Sequence, residues 1–178
     1  MRRPAPLRRA RSLALAAALA LLAACPVCGA PPTRVTVTLA LQGGGGTAIH
    51  GVDAVLALPA GALLESDPAT GRVAPRALRL EGGATNAVME GRFTPHARAP
   101  SVRLLVASLA PLARGPLVSL TMTVPGGVPT ASAFEVASAL VAGESGAPVG
   151  NAGVLVAGVK LAPEPPPAPP GAPPAASR

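Results

Sequence analysis

Few residues in this chain have the type and spacing to do chemistry. Cys25-Pro26-Val27-Cys28 spells a CxxC, a spacing used in thiol redox centres and in metal sites. A redox CxxC should follow a strand and open a helix, whereas this one sits at the end of an apolar run. Haem attachment would need histidine at the next position, which is Gly29. A tetrahedral zinc site needs more ligands, and there is no third cysteine. His50 stands beside a glycine run and His96 in a Pro/Arg-rich loop, and two histidines far apart make a weak metal case, so both are expected at the surface rather than on a metal. Asp53, Glu65, Asp67, Glu81, Glu90, Glu135 and Glu144 are isolated from one another, whereas calcium takes about six to eight clustered oxygens. No G-x-S-x-G elbow marks a nucleophilic serine. Gly43 to Gly46 lack the following Lys-Ser/Thr of a phosphate loop and are expected to be a flexible turn. A paired-carboxylate glycosidase can be assembled in any β-fold, since spacing in sequence does not reveal spatial pairs, but none of the motifs above points to one. The expectation is a protein that is not an enzyme, with no catalytic residue, no metal site and no cofactor.

The N-terminal segment explains Cys25 better. Arg2, Arg3, Arg8, Arg9 and Arg11 precede twelve uninterrupted apolar residues, 13–24, and a Pro/Gly-rich stretch follows. A charged region, an apolar region and small residues before a cleavage point form an export signal. Twelve residues are too few for a permanent span, which needs about 20. The arginines fit a twin-arginine motif poorly, because Arg11 falls where an apolar residue is expected, so general secretion is the expected route. An ordinary cleaved signal is the rival to an anchor, and the cysteine separates them. Leu22-Ala23-Ala24-Cys25 resembles the lipobox of bacterial lipoproteins. That resemblance implies cleavage between Ala24 and Cys25 and a diacylglycerol thioether on Cys25, usually joined by an amide-linked acyl chain. A single acyl chain binds membranes only marginally, and two or more hold stably. The implied location is the bacterial cell envelope, with the membrane itself as a partner through the lipid. Pro26 in place of aspartate favours the outer over the inner membrane in a Gram-negative cell. Cys28 is then left as an odd thiol.

Charge follows from the same segment. The formal net charge of +7 suggests nucleic acid, but removing residues 1–24 deletes five arginines and no acids. Ten basic residues then face eight acidic ones, scattered and without an aromatic platform, so no nucleic-acid partner is expected. Phe93 and Phe134 are the only aromatic residues, and the core must be built from Val, Leu and Ala.

Period-two alternation runs through the rest of the chain. Val35, Val37, Leu39 and Leu41 alternate with Thr36, Thr38 and Ala40 over residues 34–41, and Val52, Ala54, Leu56 and Leu58 share one face over 49–58. Asp67-Pro68-Ala69-Thr70-Gly71 is a turn by its chemistry, and residues 73–80 are expected as a strand. Residues 82–94 are ambiguous, with a weak edge pairing over 87–93. Residues 101–108, 117–124, 134–141 and 153–161 complete the set, with Val102, Leu104 and Val106 inward in the clearest core strand. Seven or eight short strands separated by Gly/Pro turns predict an all-β, antiparallel β-sandwich with about fifteen inward residues. The expected organisation is a signal peptide at 1–24, a lipidated tether at 25–33 and the sandwich at 34–161. A disordered, proline-rich tail at 162–178 ends it, where eight of seventeen residues are proline.

Three stretches carry a family resemblance. Gly51-Val52-Asp53-Ala54-Val55-Leu56-Ala57-Leu58-Pro59 resembles the early strand of cohesin-type domains and of their lipoprotein relatives. Val102-Arg103-Leu104-Leu105-Val106-Ala107-Ser108, followed after a gap by Gly115-Pro116-Leu117-Val118-Ser119-Leu120-Thr121-Met122-Thr123-Val124, resembles the family's central strands. Phe134-Glu135-Val136 with Gly143-Glu144-Ser145-Gly146 is similar to its closing strands. The resemblance covers residues 34–159 and implies a nine-stranded jelly-roll sandwich with a non-catalytic binding or assembly role toward protein partners. In cellulosomes such domains bind dockerins, but no dockerin-contact motif matches here. Carbohydrate-binding modules share much of the pattern, so an envelope polysaccharide is the alternative partner, although sugar rings usually stack on Trp or Tyr, which this chain lacks.

Overall fold

The structure, a computed structural model, describes residues 31–84, 86–96 and 98–163. The signal segment, Ala24, Cys25, Cys28 and residues 164–178 lie outside the described residues. Eight strands form: β1 (Thr33–Gly43), β2 (Gly51–Ala57), β3 (Leu78–Leu80), β4 (Val88–Thr94), β5 (Ser101–Ala107), β6 (Gly115–Val124), β7 (Glu135–Ala142) and β8 (Ala152–Leu161). They make two four-stranded antiparallel sheets, one ordered β3-β6-β1-β8 and the other β4-β5-β2-β7. The antiparallel β-sandwich expected from the alternation is therefore present.

Alternation sets which residues meet between the sheets. Val35, Val37, Leu39 and Leu41 of β1 face Val52, Ala54 and Leu56 of β2 and Val102, Leu104 and Val106 of β5 in one buried core. Twenty-seven apolar residues are buried among those described, above the fifteen or so expected, and Ile49, Ala62, Leu64 and Leu112 are among those added from outside the strands. Each is worth roughly 1.5–3 kcal/mol when it is a fully buried Val or Leu. In β6 the pairing with β1 slips by one residue between Leu39 and Ala40. The extra residue in that bulge lets the adjacent Leu117 and Val118 both be buried, against strict alternation.

Two strand boundaries differ from expectation. Over residues 73–80 only Leu78–Leu80 is strand, because Pro75 has no N–H to give a ladder and instead opens a 3-10 turn, Pro75–Ala77. Val73 makes its own contacts, donating its N–H to the Gly91 carbonyl at 2.9 Å. The ambiguous 82–94 stretch resolves the other way: β4 pairs with β5 along its whole length, from Val88 opposite Ala107 to Thr94 opposite Ser101.

The turns hold as their chemistry implies. Asp67 Oδ1 accepts from the N–H groups of Ala69 (2.8 Å) and Thr70 (3.1 Å), closing the loop before Gly71. Gly43 ends β1 at φ +73°, and a Cβ there would lie 1.8 Å from the Asn151 carbonyl oxygen, so only glycine fits. Arg114 donates to the Gly43 carbonyl and fixes that corner.

The pairing is nested. β1 pairs with β8, β2 with β7, β3 with β6 and β4 with β5, as in a long hairpin rolled up on itself. Two further pairings, β1 with β6 and β2 with β5, join the rolled hairpin into the two sheets.

Candidate functional site

The core uses the inward half of every strand, so any site must be built from the outward half or from the loops. On the β4-β5-β2-β7 sheet the register lines outward residues up in rows across the strands. The first row is Val88, Ala107, Gly51 and Ala142, and the second is Glu90, Leu105, Asp53 and Leu140. The third is Arg92, Arg103, Val55 and Ser138. One end of this face is therefore apolar and the other carries the arginines, with carboxylates and leucines alternating in the row between them.

Leu105 and Leu140 are 50% and 52% exposed and stand on either side of Asp53. Val88 extends the apolar side at 76% exposure. The charges between them are neutralised by one another. Asp53 accepts from Arg103 Nε at 2.9 Å and also from its Nη2, a two-pronged pair, and Arg92 lies 3.6 Å from Glu90. The hydrogen bond from Arg103 holds the Asp53 carboxyl below its usual value, opposed by partial desolvation. Asp53, Glu90, Arg92, Arg103 and Leu105 line a shallow depression of about 190 Å³.

Beyond the first row the face runs into a hollow of about 660 Å³ lined by Val88, Leu109, Ala110, His50, Ser108 and Glu144, among others. Leu109 is fully exposed there. His50 Nδ1 lies 3.2 Å from the Ser108 carbonyl oxygen. A carbonyl can only accept, so this bond requires a ring proton on Nδ1.

The β3-β6-β1-β8 sheet carries a different outward surface. Thr36 and Thr121 hydroxyls lie 3.2 Å apart across β1 and β6, and Thr38 and Ser119 hydroxyls 3.3 Å apart. Ser119 donates onward to Glu81 Oε1 at 2.9 Å, so Thr38 is the donor to Ser119. Ser119 is the one buried polar residue among those described.

The chain matches no protein-family model, no curated protein and no solved structure. Its chemistry has to be taken from its own residues.

Those singled out in the sequence end up apart. Ala24 and Cys25, the cleavage and lipidation residues, and Cys28 lie outside the described residues. His96 is turned into its own loop, where Nδ1 accepts from the N–H groups of Arg98 (3.3 Å) and Ala99 (3.2 Å). Among the acids, Glu65 binds Arg76, Asp67 caps its turn, and Asp53, Glu81 and Glu90 are engaged as above. Among the described residues no three of His, Cys, Asp and Glu come together as metal ligands. No described helix is long and apolar enough to cross a membrane.

Leu105 and Leu140 were not singled out in advance. Their signal is visible in retrospect: Leu105 follows Leu104 directly, and in a strand whose inward set is Val102, Leu104 and Val106 it must point out. That the two leucines flank Asp53 depends on a register no single strand contains.

Proposed function

We propose that this protein is a lipoprotein of the bacterial cell envelope, anchored through a lipid on Cys25. Its sandwich is a cohesin-like jelly roll that serves as a non-catalytic docking or assembly domain for a protein partner. Nested pairing supports the jelly-roll assignment, since a rolled hairpin is how eight strands form a double sheet of that kind. Among the described residues the count is eight strands, against nine in the family it resembles.

The observation that carries the docking role is the outer face of the β4-β5-β2-β7 sheet, where Leu105 and Leu140 stand half-exposed beside internally paired charges. Exposed apolar side chains on a flat face with polar flanks are the pattern of a protein-interaction surface. The partner it suits is apolar where it meets Val88, Leu105 and Leu140 and polar toward Arg92 and Arg103, and it needs no charge for Asp53, which Arg103 already neutralises.

Two experiments test the proposal. Cys25→Ala should abolish lipid labelling and release the protein from membranes; a variant that stays labelled and bound removes the anchor. Separately, the protein purified from detergent-solubilised envelopes should bring down a reproducible partner. Leu105→Glu and Leu140→Glu should each lose that partner while Thr36→Val keeps it. Equal retention by all three variants would remove this face as the docking surface.

The hydroxyl ladder on the other sheet supports a second reading, an envelope polysaccharide held by a flat polar surface. Binding to isolated envelope polysaccharides that falls in Thr121→Val and not in Leu105→Glu would favour it over the first.

A further inference from the structure

Each sheet has two edges, and three of the four are blunted. β3 is only three residues long. β4 is covered by the preceding segment, which bridges Arg72 to Arg92 and gives the Phe93 N–H to the Gly71 carbonyl at 2.7 Å. β7 is bulged in its pairing and is bridged at its end, Ala142 to Pro148. β8 also carries a bulge, at Ala157, but it is neither short nor bridged by another described segment. It is ten residues long, carries a single charge (Lys160), and among the described residues pairs on one side only, with β1. A long edge with little charge and unpaired backbone groups is a template for another strand.

The inward side of this edge is also under-covered. Leu161 faces the core side, opposite Val35, yet is 65% exposed. On β7 the inward-facing Ala139, paired with buried Ala54, is exposed as well. A strand laid beside β8 would cover this open seam.

We infer that β8 pairs with β8 of a second copy of this chain, antiparallel about a twofold axis between Val156 and Ala157, joining two sheets into one of eight strands. The pattern of β8 fits itself in that register. Inward Val154 meets inward Val159, outward Leu155 meets outward Gly158, and outward Gly153 meets outward Lys160, the sides being those set by the pairing with β1. The match works because the bulge opposite Thr38 and Leu39 adds one residue at the centre of the strand. Without it, a twofold about this centre would set inward residues against outward ones. Charge agrees too. The two Lys160 side chains fall at opposite ends of the paired strands, seven residues from the facing position, or about 23 Å along the strand. That exceeds the screening length of about 8 Å at physiological salt. The pairing leaves the outer face carrying Leu105 free in both copies, so it does not depend on the docking role.

The test is disulfide trapping in the full-length protein in cell envelopes, in a Cys28→Ser background. Gly153→Cys combined with Lys160→Cys should give a disulfide-linked dimer under mild oxidation. Neither single variant should, and neither should the Cys28→Ser parent. Both sites tolerate the change: a Cβ at Gly153 meets nothing within 4 Å, and Lys160 is exposed. The two cysteines cannot bridge within one chain, because a disulfide needs Cα atoms closer than about 7 Å. Leu155→Cys with Gly158→Cys reads the neighbouring rung and should behave the same way. Adding Ala157→Lys, which sets two like charges at the twofold, should cut dimer yield several-fold. Monomer from both double variants, dimer from the singles at equal yield, or a cross-link to a different protein would each overturn the pairing.

Discussion

The two outer faces of this sandwich are made by the same alternation and end up chemically opposite. On the sheet of β3, β6, β1 and β8 the outward centre, where β1 meets β6, is built of hydroxyls that bond each other, Thr36 with Thr121 and Thr38 with Ser119. On the sheet of β4, β5, β2 and β7 they include Leu105 and Leu140, which no neighbour on the face can satisfy. A hydroxyl can be completed by the strand next to it, whereas a leucine loses its contact with water only when something is laid over it. The hydroxyls of the first face are satisfied within the chain, and the leucines of the second are left facing solvent.

Neighbouring leucines of β5 give the sharpest way to break this contrast. Leu104→Ala removes a side chain that is 2% exposed and should cost about 2–5 kcal/mol, read by denaturant unfolding. Leu105→Ala, one residue on, should stay within about 0.5 kcal/mol of wild type, as surface substitutions do, and should weaken partner capture. Similar losses of stability for the two would mean that Leu105 belongs to the core.

The corner at Gly43 comes next. Gly43→Ala places a Cβ 1.8 Å from the Asn151 carbonyl at a positive φ, so the β1–β8 corner must move. The backbone term alone is about 1–2 kcal/mol, and the clash adds to it. Gly45→Ala, at φ +51° with nothing near its Cβ, should show the backbone term only. Equal destabilisation by the two would remove the clash as a cause.

Smaller still is the hydroxyl ladder. Thr38→Val keeps the shape and removes one hydrogen bond, with an expected cost of about 0.5–1.5 kcal/mol, while Ser119 retains Glu81. Thermal unfolding checks it, and no change would mean that water replaces the bond fully.

The smallest effect expected is at Asp53. Its carboxyl is held below the ordinary value of 3.8, chiefly by the Arg103 hydrogen bond. A lowered carboxylate stabilises the fold fully above its unfolded value and loses that contribution as pH falls through its folded value. An exposed pair of this kind is worth about 0.2–1 kcal/mol. Asp53→Asn should therefore be slightly less stable than wild type at neutral pH. The two curves should converge as pH drops below about 3.8, the ordinary carboxylate value.

How far these features can be read along the chain differs from one to the next. Six of the eight strands follow from period-two alternation, because a half-buried strand must present every second side chain to the core. Over residues 73–80 a strand was expected, but Pro75 removes the N–H a ladder needs, and the strand shrinks to Leu78–Leu80. β4 was the reverse case: its inward set is Met89, Gly91 and Phe93, and Gly91 breaks the apolar pattern. A Cβ at Gly91 would lie 2.8 Å from Leu78 Cδ1, so the gap in the pattern is filled from another strand.

By itself, the sequence determined the class of fold, the turn at Asp67–Gly71 and the split between inward and outward residues. These depend on local backbone geometry and on the free energy of burying each side chain, which are written in consecutive residues. It also carried the expectation of a lipid anchor at Cys25, which rests on a local motif and needs no fold. Only the tertiary structure decided the nested order of the strands, the Asp53–Arg103 pair between two exposed leucines, the Thr38–Ser119–Glu81 chain and the bare edge of β8. Alternation says which side of a strand a residue takes. It says nothing of which strand lies beside it, because that is chosen by packing and hydrogen bonds between segments far apart in the chain.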